Sequence, residues 1–116
     1  ACPTQAIIAP RKVDANKCIA TWTIERTLHP DSLLKADRNN EWAFGCDICQ
    51  DVCPWNRFSK PHQTPEFELS ADLEQFTNSD WQEITEDIFK QVFKNSPLKR
   101  TKIDGLKRNI EFVKQS

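Results

Sequence analysis

The sequence predicts a mostly α protein with a small β component, an α+β chain whose cysteines gather in its first half and whose helical periodicity gathers in its second. Three observations carry this. Cys46, Cys49 and Cys53, three of the five cysteines, fall within eight residues and end in Cys-Pro. A second Cys-Pro, Cys2-Pro3, stands at the start. From Leu69 to Val113 the apolar residues recur at three- and four-residue intervals, the period of an amphipathic helix. Together these divide the chain into a ferredoxin-like 4Fe-4S module over residues 1–60 and a helical tail over residues 61–116.

The cysteine spacing is that of the bacterial iron-sulfur run C-x2-C-x2-C-x3-C-P. Cys46, Cys49 and Cys53 supply its last three members, and Ala43 stands where the first would be. Cys2-Pro3 reads as the close of an earlier run whose other members precede residue 1. In two-cluster ferredoxins the fourth cysteine of each run ligates the other cluster. Cys2 is therefore expected to join Cys46 and Cys49 on one 4Fe-4S cluster, with Cys18 completing the set, while Cys53 crosses to a second cluster. Zinc is the competing reading, because paired C-x2-C thiols can also close a tetrahedral site. The doubled Cys-Pro and the x3 spacing favour clusters.

The elements follow in order. Ala6 to Ile8 suits a short strand, and a turn over Pro10, Arg11 and Lys12 returns Val13 to pair with it. Asp14 is an N-cap for a helix from about Ala15 to Arg26, with Cys18 in its first turn and Trp22 one turn on. Trp22 is either cover for a cluster or a core residue. Residues 27–41 are polar and read as a loop with one helical turn near Leu33-Leu34. Gly45 permits close backbone approach, and Cys46 to Val52 suits a short helix that sets Cys49 and Cys53 on one face, with Trp55 and Phe58 as cover. The Pro-punctuated stretch 59–68 is the boundary, and its His62 is expected in solvent.

In the tail, Leu69, Leu73 and Phe76 form one apolar face, and Ser79 with Gln82 suits a capping box. Ile88 with Val92 and Phe89 with Phe93 make i, i+4 pairs, Ser96-Pro97 starts the last helix, and Leu98, Ile103, Leu106, Ile110 and Val113 line its buried side.

With 38% hydrophobic residues and two glycines, apolar burial alone would hold the first half poorly, and metal ligation supplies the deficit. A net charge of −1 and a pI near 6.1 argue against a general nucleic-acid coat, so any such surface is local. Lys94, Lys99, Arg100, Lys102, Lys107 and Arg108 face only Asp104 in charge between residues 94 and 108. That segment is either a solvated helix face or a phosphate-binding one, with Lys99, Arg100, Lys107 and Arg108 as its contacts. No apolar run approaches 18 residues, so no membrane is expected, and free cysteines suit the reducing cytoplasm.

Several segments carry a family resemblance: A-C-P-T at the start, D-A-N-K-C-I then T-I-E from Asp14 to Glu25, F-G-C-D-I-C-Q-D-V-C-P-W-N from Phe44 to Asn56, and S-P-L-K-R then G-L-K-R-N in the tail. These resemble the carboxyl-terminal part of epoxyqueuosine reductase, the cobalamin-dependent enzyme with two 4Fe-4S clusters that completes queuosine in tRNA. The resemblance implies cobalamin lying against Cys46 and Asp47, although Asp47 can equally cap the short helix. It also implies tRNA and an electron donor as partners, and an amino-terminal domain holding the general acid, so that this stretch would not be catalytic alone. After T-I-E the family usually continues with a basic residue and glycine. Here Arg26-Thr27-Leu28 follows, and no tRNA contact is carried over for that loop. The rival readings are a ferredoxin-type electron-transfer domain of another corrinoid enzyme, such as a reductive dehalogenase, and a zinc-stapled RNA-binding module.

Overall fold

The computed structural model describes residues 1–26 and 42–114, so the loop and helical turn expected over 27–41 lie outside the described residues. The small β component is a hairpin in which β1 (Ile7–Ala9) pairs antiparallel with β2 (Lys12–Val13). Its connection is Pro10-Arg11; proline fixes the first φ, and Arg11 turns left-handed at φ 61°. Ile7, Ile8 and Val13 are all more than half exposed, so Ala6 alone anchors this strand in the interior.

Asp14 caps the next segment, accepting from the Asn16 N–H at 3.0 Å. The helix expected from Ala15 to Arg26 is not continuous, however. A 3-10 turn, Ala15–Lys17, ends at Cys18, whose backbone is extended (φ −80°, ψ 124°), and the chain then coils into a π-helix, Thr21–Glu25. At this break the Lys17 carbonyl is engaged by the Thr4 hydroxyl, thirteen residues away in sequence, rather than within a helix. Trp22 takes the core role, 1% exposed beside buried Ile19 and Ala6, with its indole N–H donating to the Asn16 carbonyl at 2.8 Å.

Helix α1 is Ile48–Asp51, shorter than the Cys46–Val52 expectation. Val52 closes it, and Pro54, lacking an N–H, opens a 3-10 turn through Phe58 instead. Cys53 thus lies outside α1 in extended backbone and does not share a helical face with Cys49. Trp55 and Phe58 do not act as cover either, being 83% and 69% exposed. His62 is exposed as expected, its Nδ1 accepting from the Thr64 N–H at 3.2 Å.

The tail contains α2 (Ala71–Glu74), α3 (Asn78–Gln82), α4 (Glu86–Val92) and α5 (Lys102–Lys114). Hydroxyl side chains start the first three: Ser70, Thr77 and Thr85 each accept from an N–H of the first turn. The capping box is Thr77 with Asp80, two residues before the Ser79–Gln82 expectation, and the Thr77 hydroxyl and N–H hold the Asp80 carboxyl below its ordinary pKa. Ser96-Pro97 opens a 3-10 turn (Pro97–Arg100), and α5 starts only after Thr101, where Lys102 is left-handed at φ 62°.

The main core is Ile84, Phe89, Phe93 and Leu106, with Leu73, Phe76, Trp81, Val92, Leu98, Ile103 and Ile110 packed against it. Phe93 is fully buried, stacked on Trp81 at 5.9 Å between ring centroids and tilted against Phe89 at 5.1 Å. Each such ring contributes roughly 1.5–3 kcal/mol by leaving water. Leu69 and Ile88, expected on buried faces, are exposed.

The tail also packs back onto the cysteine-bearing half. In the π-helix the Arg26 N–H bonds to the Thr21 carbonyl at 3.2 Å, a five-residue step. The Thr101 hydroxyl donates to the carbonyls of Thr23 and Ile24 at 2.9 and 3.1 Å, and the Asn109 amide donates to Thr23 at 2.7 Å. The division expected at residues 60 and 61 falls in an extended stretch, yet these bonds join what lies on either side of it.

Candidate iron-sulfur centre

Three segments bring four thiols together. Cys2 sits in the amino-terminal turn, which closes with the Gln5 N–H on the Cys2 carbonyl at 3.1 Å. Cys18 sits at the break between the 3-10 turn and the π-helix, Cys46 lies just before α1 and Cys49 in its first turn. Burial pushes the Cys46 thiol up, the Ile48 N–H opposes this, and the charges of Cys18, Cys49 and Cys2 raise it further. Cys18, Cys49 and Cys2 are each near enough for their charges to act on the Cys46 thiol.

The donors around Cys2 suit a bound thiolate. Burial raises its pKa, but hydrogen bonds, among them those from the N–H groups of Ala6, Thr4 and Ile7, outweigh burial and bring the thiol below its ordinary value. The Ala6 N–H lies 3.3 Å from Cys2 Sγ. N–H groups aimed at sulfur are among the levers that stabilise a cluster and set its potential. Among the described residues no three His, Cys, Asp or Glu side chains close on a single metal ion. A cubane carries its thiolates on four separate irons, whereas zinc draws them onto one ion.

Two buried threonines hold these segments together, and sequence reasoning assigned neither a role. Thr4, 9% exposed, donates its hydroxyl to the Lys17 carbonyl beside Cys18 while lying 3.5 Å from Cys2 Sγ. Thr23, 1% exposed, donates to the Ile19 carbonyl at 2.9 Å and accepts from the Gly45 N–H at 2.9 Å. It so links the neighbour of Cys18 to the neighbour of Cys46. Gly45 at φ 71° presents that N–H, a conformation glycine adopts without steric cost. Asn109, also 1% exposed, bonds both the Thr23 carbonyl and, at 2.9 Å, the Ala43 carbonyl. The only advance signal for Asn109 was its polarity within the buried period of α5.

Asp47 stands at the N-cap of α1, its carbonyl accepting from the Gln50 and Asp51 N–H groups, but its exposed side chain makes no capping bond. Of the four basic candidates, Arg100 pairs with Glu25 at 2.9 Å, and Arg108 donates to the Arg26 and Trp22 carbonyls at 2.6 and 3.3 Å. Burial lowers the Arg108 pKa. Lys99 reaches the Lys94 carbonyl at 3.3 Å, and Lys99 and Lys107 are both exposed. No helix among the described residues is long and apolar enough to cross a membrane.

Residues 1–56 match a 4Fe-4S double cluster binding domain. The chain is 56% identical to an epoxyqueuosine reductase of Cellulophaga algicola, over 98% of this chain and 37% of that protein. To the Synechocystis enzyme of the same name it is 45% identical, over 96% of this chain and 39% of that one. The chain thus spans a little over a third of the curated relatives it matches. Two solved structures share the fold, each with a TM-score of 0.83 and 27% identity over 97% of this chain and 30% of theirs. One is an epoxyqueuosine reductase with an epoxyqueuosine-modified tRNA-Tyr stem loop, and the other is the Bacillus subtilis enzyme. In sequence and in fold alike, the chain is similar to about a third of an epoxyqueuosine reductase, and the residues that match a 4Fe-4S double cluster binding domain lie within that similarity.

Proposed function

We propose that this chain is the electron-transfer and tRNA-contacting part of an epoxyqueuosine reductase, which converts epoxyqueuosine to queuosine in tRNA. The observation that supports this reading is that Cys2, Cys18 and Cys49 all act on Cys46, in a chain 56% identical to such an enzyme over 37% of that enzyme's length. Bound 4Fe-4S clusters supply one-electron transfer, and cobalamin supplies a reducible cobalt.

The chain's own residues hold and orient. Cys2, Cys18, Cys46 and Cys49 would hold one cluster, and Cys53 would contribute to a second. Trp22, Ile19 and Ala6, close in sequence to Cys18 and Cys2, are buried. The edge at Cys46 and Asp47 would face cobalamin, with the exposed Asp47 carboxylate free of capping duty. Lys99 and Lys107 would meet tRNA phosphates most freely, while Arg100 and Arg108 already have partners in the chain. The general acid belongs to the remaining part of the whole protein, which would work in the cytoplasm with a separate electron donor.

Anaerobic reconstitution tests the ligand set. The chain should take up about four irons and four sulfides and absorb near about 400 nm, as thiolate-ligated iron does. Cys18→Ala should abolish uptake and Cys53→Ala should leave it. The opposite pattern would overturn the assignment.

A further inference from the structure

We infer that Thr23 and Asn109 are positioning residues for the cluster, fixing the backbone that carries Cys18 against the backbone that carries Cys46. The inference rests on the proposed reading of Cys2, Cys18, Cys46 and Cys49 as ligands.

The argument is one of connectivity. Cys18 and Cys46 are 28 residues apart in sequence, and α1 with its approach contains no buried residue to locate it by packing. What locates it is polar. The Thr23 hydroxyl takes the Gly45 N–H and gives its proton to the Ile19 carbonyl, so a single oxygen ties the residue after Cys18 to the residue before Cys46. Asn109 repeats the tie one step out, its amide spanning the Thr23 and Ala43 carbonyls. Both side chains are 1% exposed, so water does not replace these bonds when they are lost. Four thiolates on one cubane must keep fixed separations, and a slack Cys46 segment releases iron sooner.

Thr101 provides the internal comparison. It donates to the same Thr23 carbonyl and to Ile24, but none of its hydrogen bonds reaches the Cys46 segment. A role in general packing would make Thr23, Asn109 and Thr101 equivalent, whereas positioning separates them.

The test uses the whole-length protein, reconstituted anaerobically, and follows iron release to a chelator alongside thermal unfolding by circular dichroism. Thr23→Val, which keeps shape and loses both bonds, and Asn109→Ala should each release iron about tenfold faster, the scale of one lost buried hydrogen bond. Thr23→Ser should restore the parental rate, and Thr101→Val should stay within about twofold of it despite a similar loss of thermal stability. Should Asn109→Ala fail to fold, the Thr23→Val and Thr101→Val pair decides alone. Equal rates in those two variants, or no rescue by Thr23→Ser, would overturn the inference. A parental protein that takes up no iron would instead overturn the ligand reading beneath it.

Discussion

Gly105 lies against Thr101 so closely that a β-carbon on it would stand 2.7 Å from Thr101 Cγ2. Thr101 cannot swing aside, because its hydroxyl is held by the Thr23 and Ile24 carbonyls. On helix propensity alone, Gly105→Ala inside α5 would gain up to about 1 kcal/mol. Overpacking against a tethered neighbour costs about 1–3 kcal/mol, so the net change should be destabilising. Adding Thr101→Ser, which removes Cγ2 and keeps the hydroxyl, should recover most of the loss. Chemical denaturation of the three variants measures this, and a Gly105→Ala protein as stable as its parent would contradict it.

Lys102 has the opposite sign. It is exposed and left-handed at φ 62°, a conformation that costs a residue with a β-carbon about 1–2 kcal/mol. Glycine avoids that cost, and at the first position of α5 its entropy penalty is smaller than in a helix interior. Lys102→Gly should therefore raise the denaturation midpoint and Lys102→Val should lower it. A lower midpoint for the glycine variant would mean that the lysine side chain contributes more than its backbone costs.

The cysteine motif and the tail core were legible because both are written in local spacing: C-x2-C, Cys-Pro, and apolar residues at helical intervals. The errors share one origin. Sequence period treats backbone carbonyls as satisfied within their own helix, whereas the Lys17 and Thr23 carbonyls bond to side chains far along the chain, at Thr4, Thr101 and Asn109. That redirection interrupts the helix expected over Ala15 to Arg26 and makes Asn109 a buried polar anchor. Trp55 and Phe58 were expected as cover because aromatic residues commonly bury, and a local pattern carries no information about which neighbour would cover them.

Cluster removal should act unevenly. Between Cys46 and Phe58 no residue is buried, and α1 rests on its own backbone bonds, such as the Asp51 N–H to the Asp47 carbonyl at 2.9 Å. The amides of Phe89 and Phe93 lie in the tail core. Hydrogen exchange after chelation should show Asp51 and its neighbours losing protection while Phe89 and Phe93 keep theirs. Uniform retention would mean that metal contributes little to order in the first half.

The placement of the basic residues reshapes the test of tRNA contact. Replacing Arg108 would break its bonds to the Trp22 and Arg26 carbonyls, and replacing Arg100 would leave Glu25 unpaired, so weakened binding in either variant could come from a disturbed fold. Lys99 and Lys107 are the cleaner probes, because both are exposed and neither forms an ion pair among the described residues. If each neutralises one phosphate, Lys99→Gln with Lys107→Gln in the whole-length protein should weaken tRNA binding and flatten log K against log salt by about 1.5 units, from about 0.7–0.9 per contact. Iron content should not change, since neither lysine touches the threonine and asparagine bonds that hold the cysteines. Arg108→Gln is expected to do the reverse, lowering thermal stability with a smaller change in salt slope. A slope unaltered by the double lysine change would make the surface at Lys99 and Lys107 an ordinary solvated one and move the tRNA contact elsewhere in the protein.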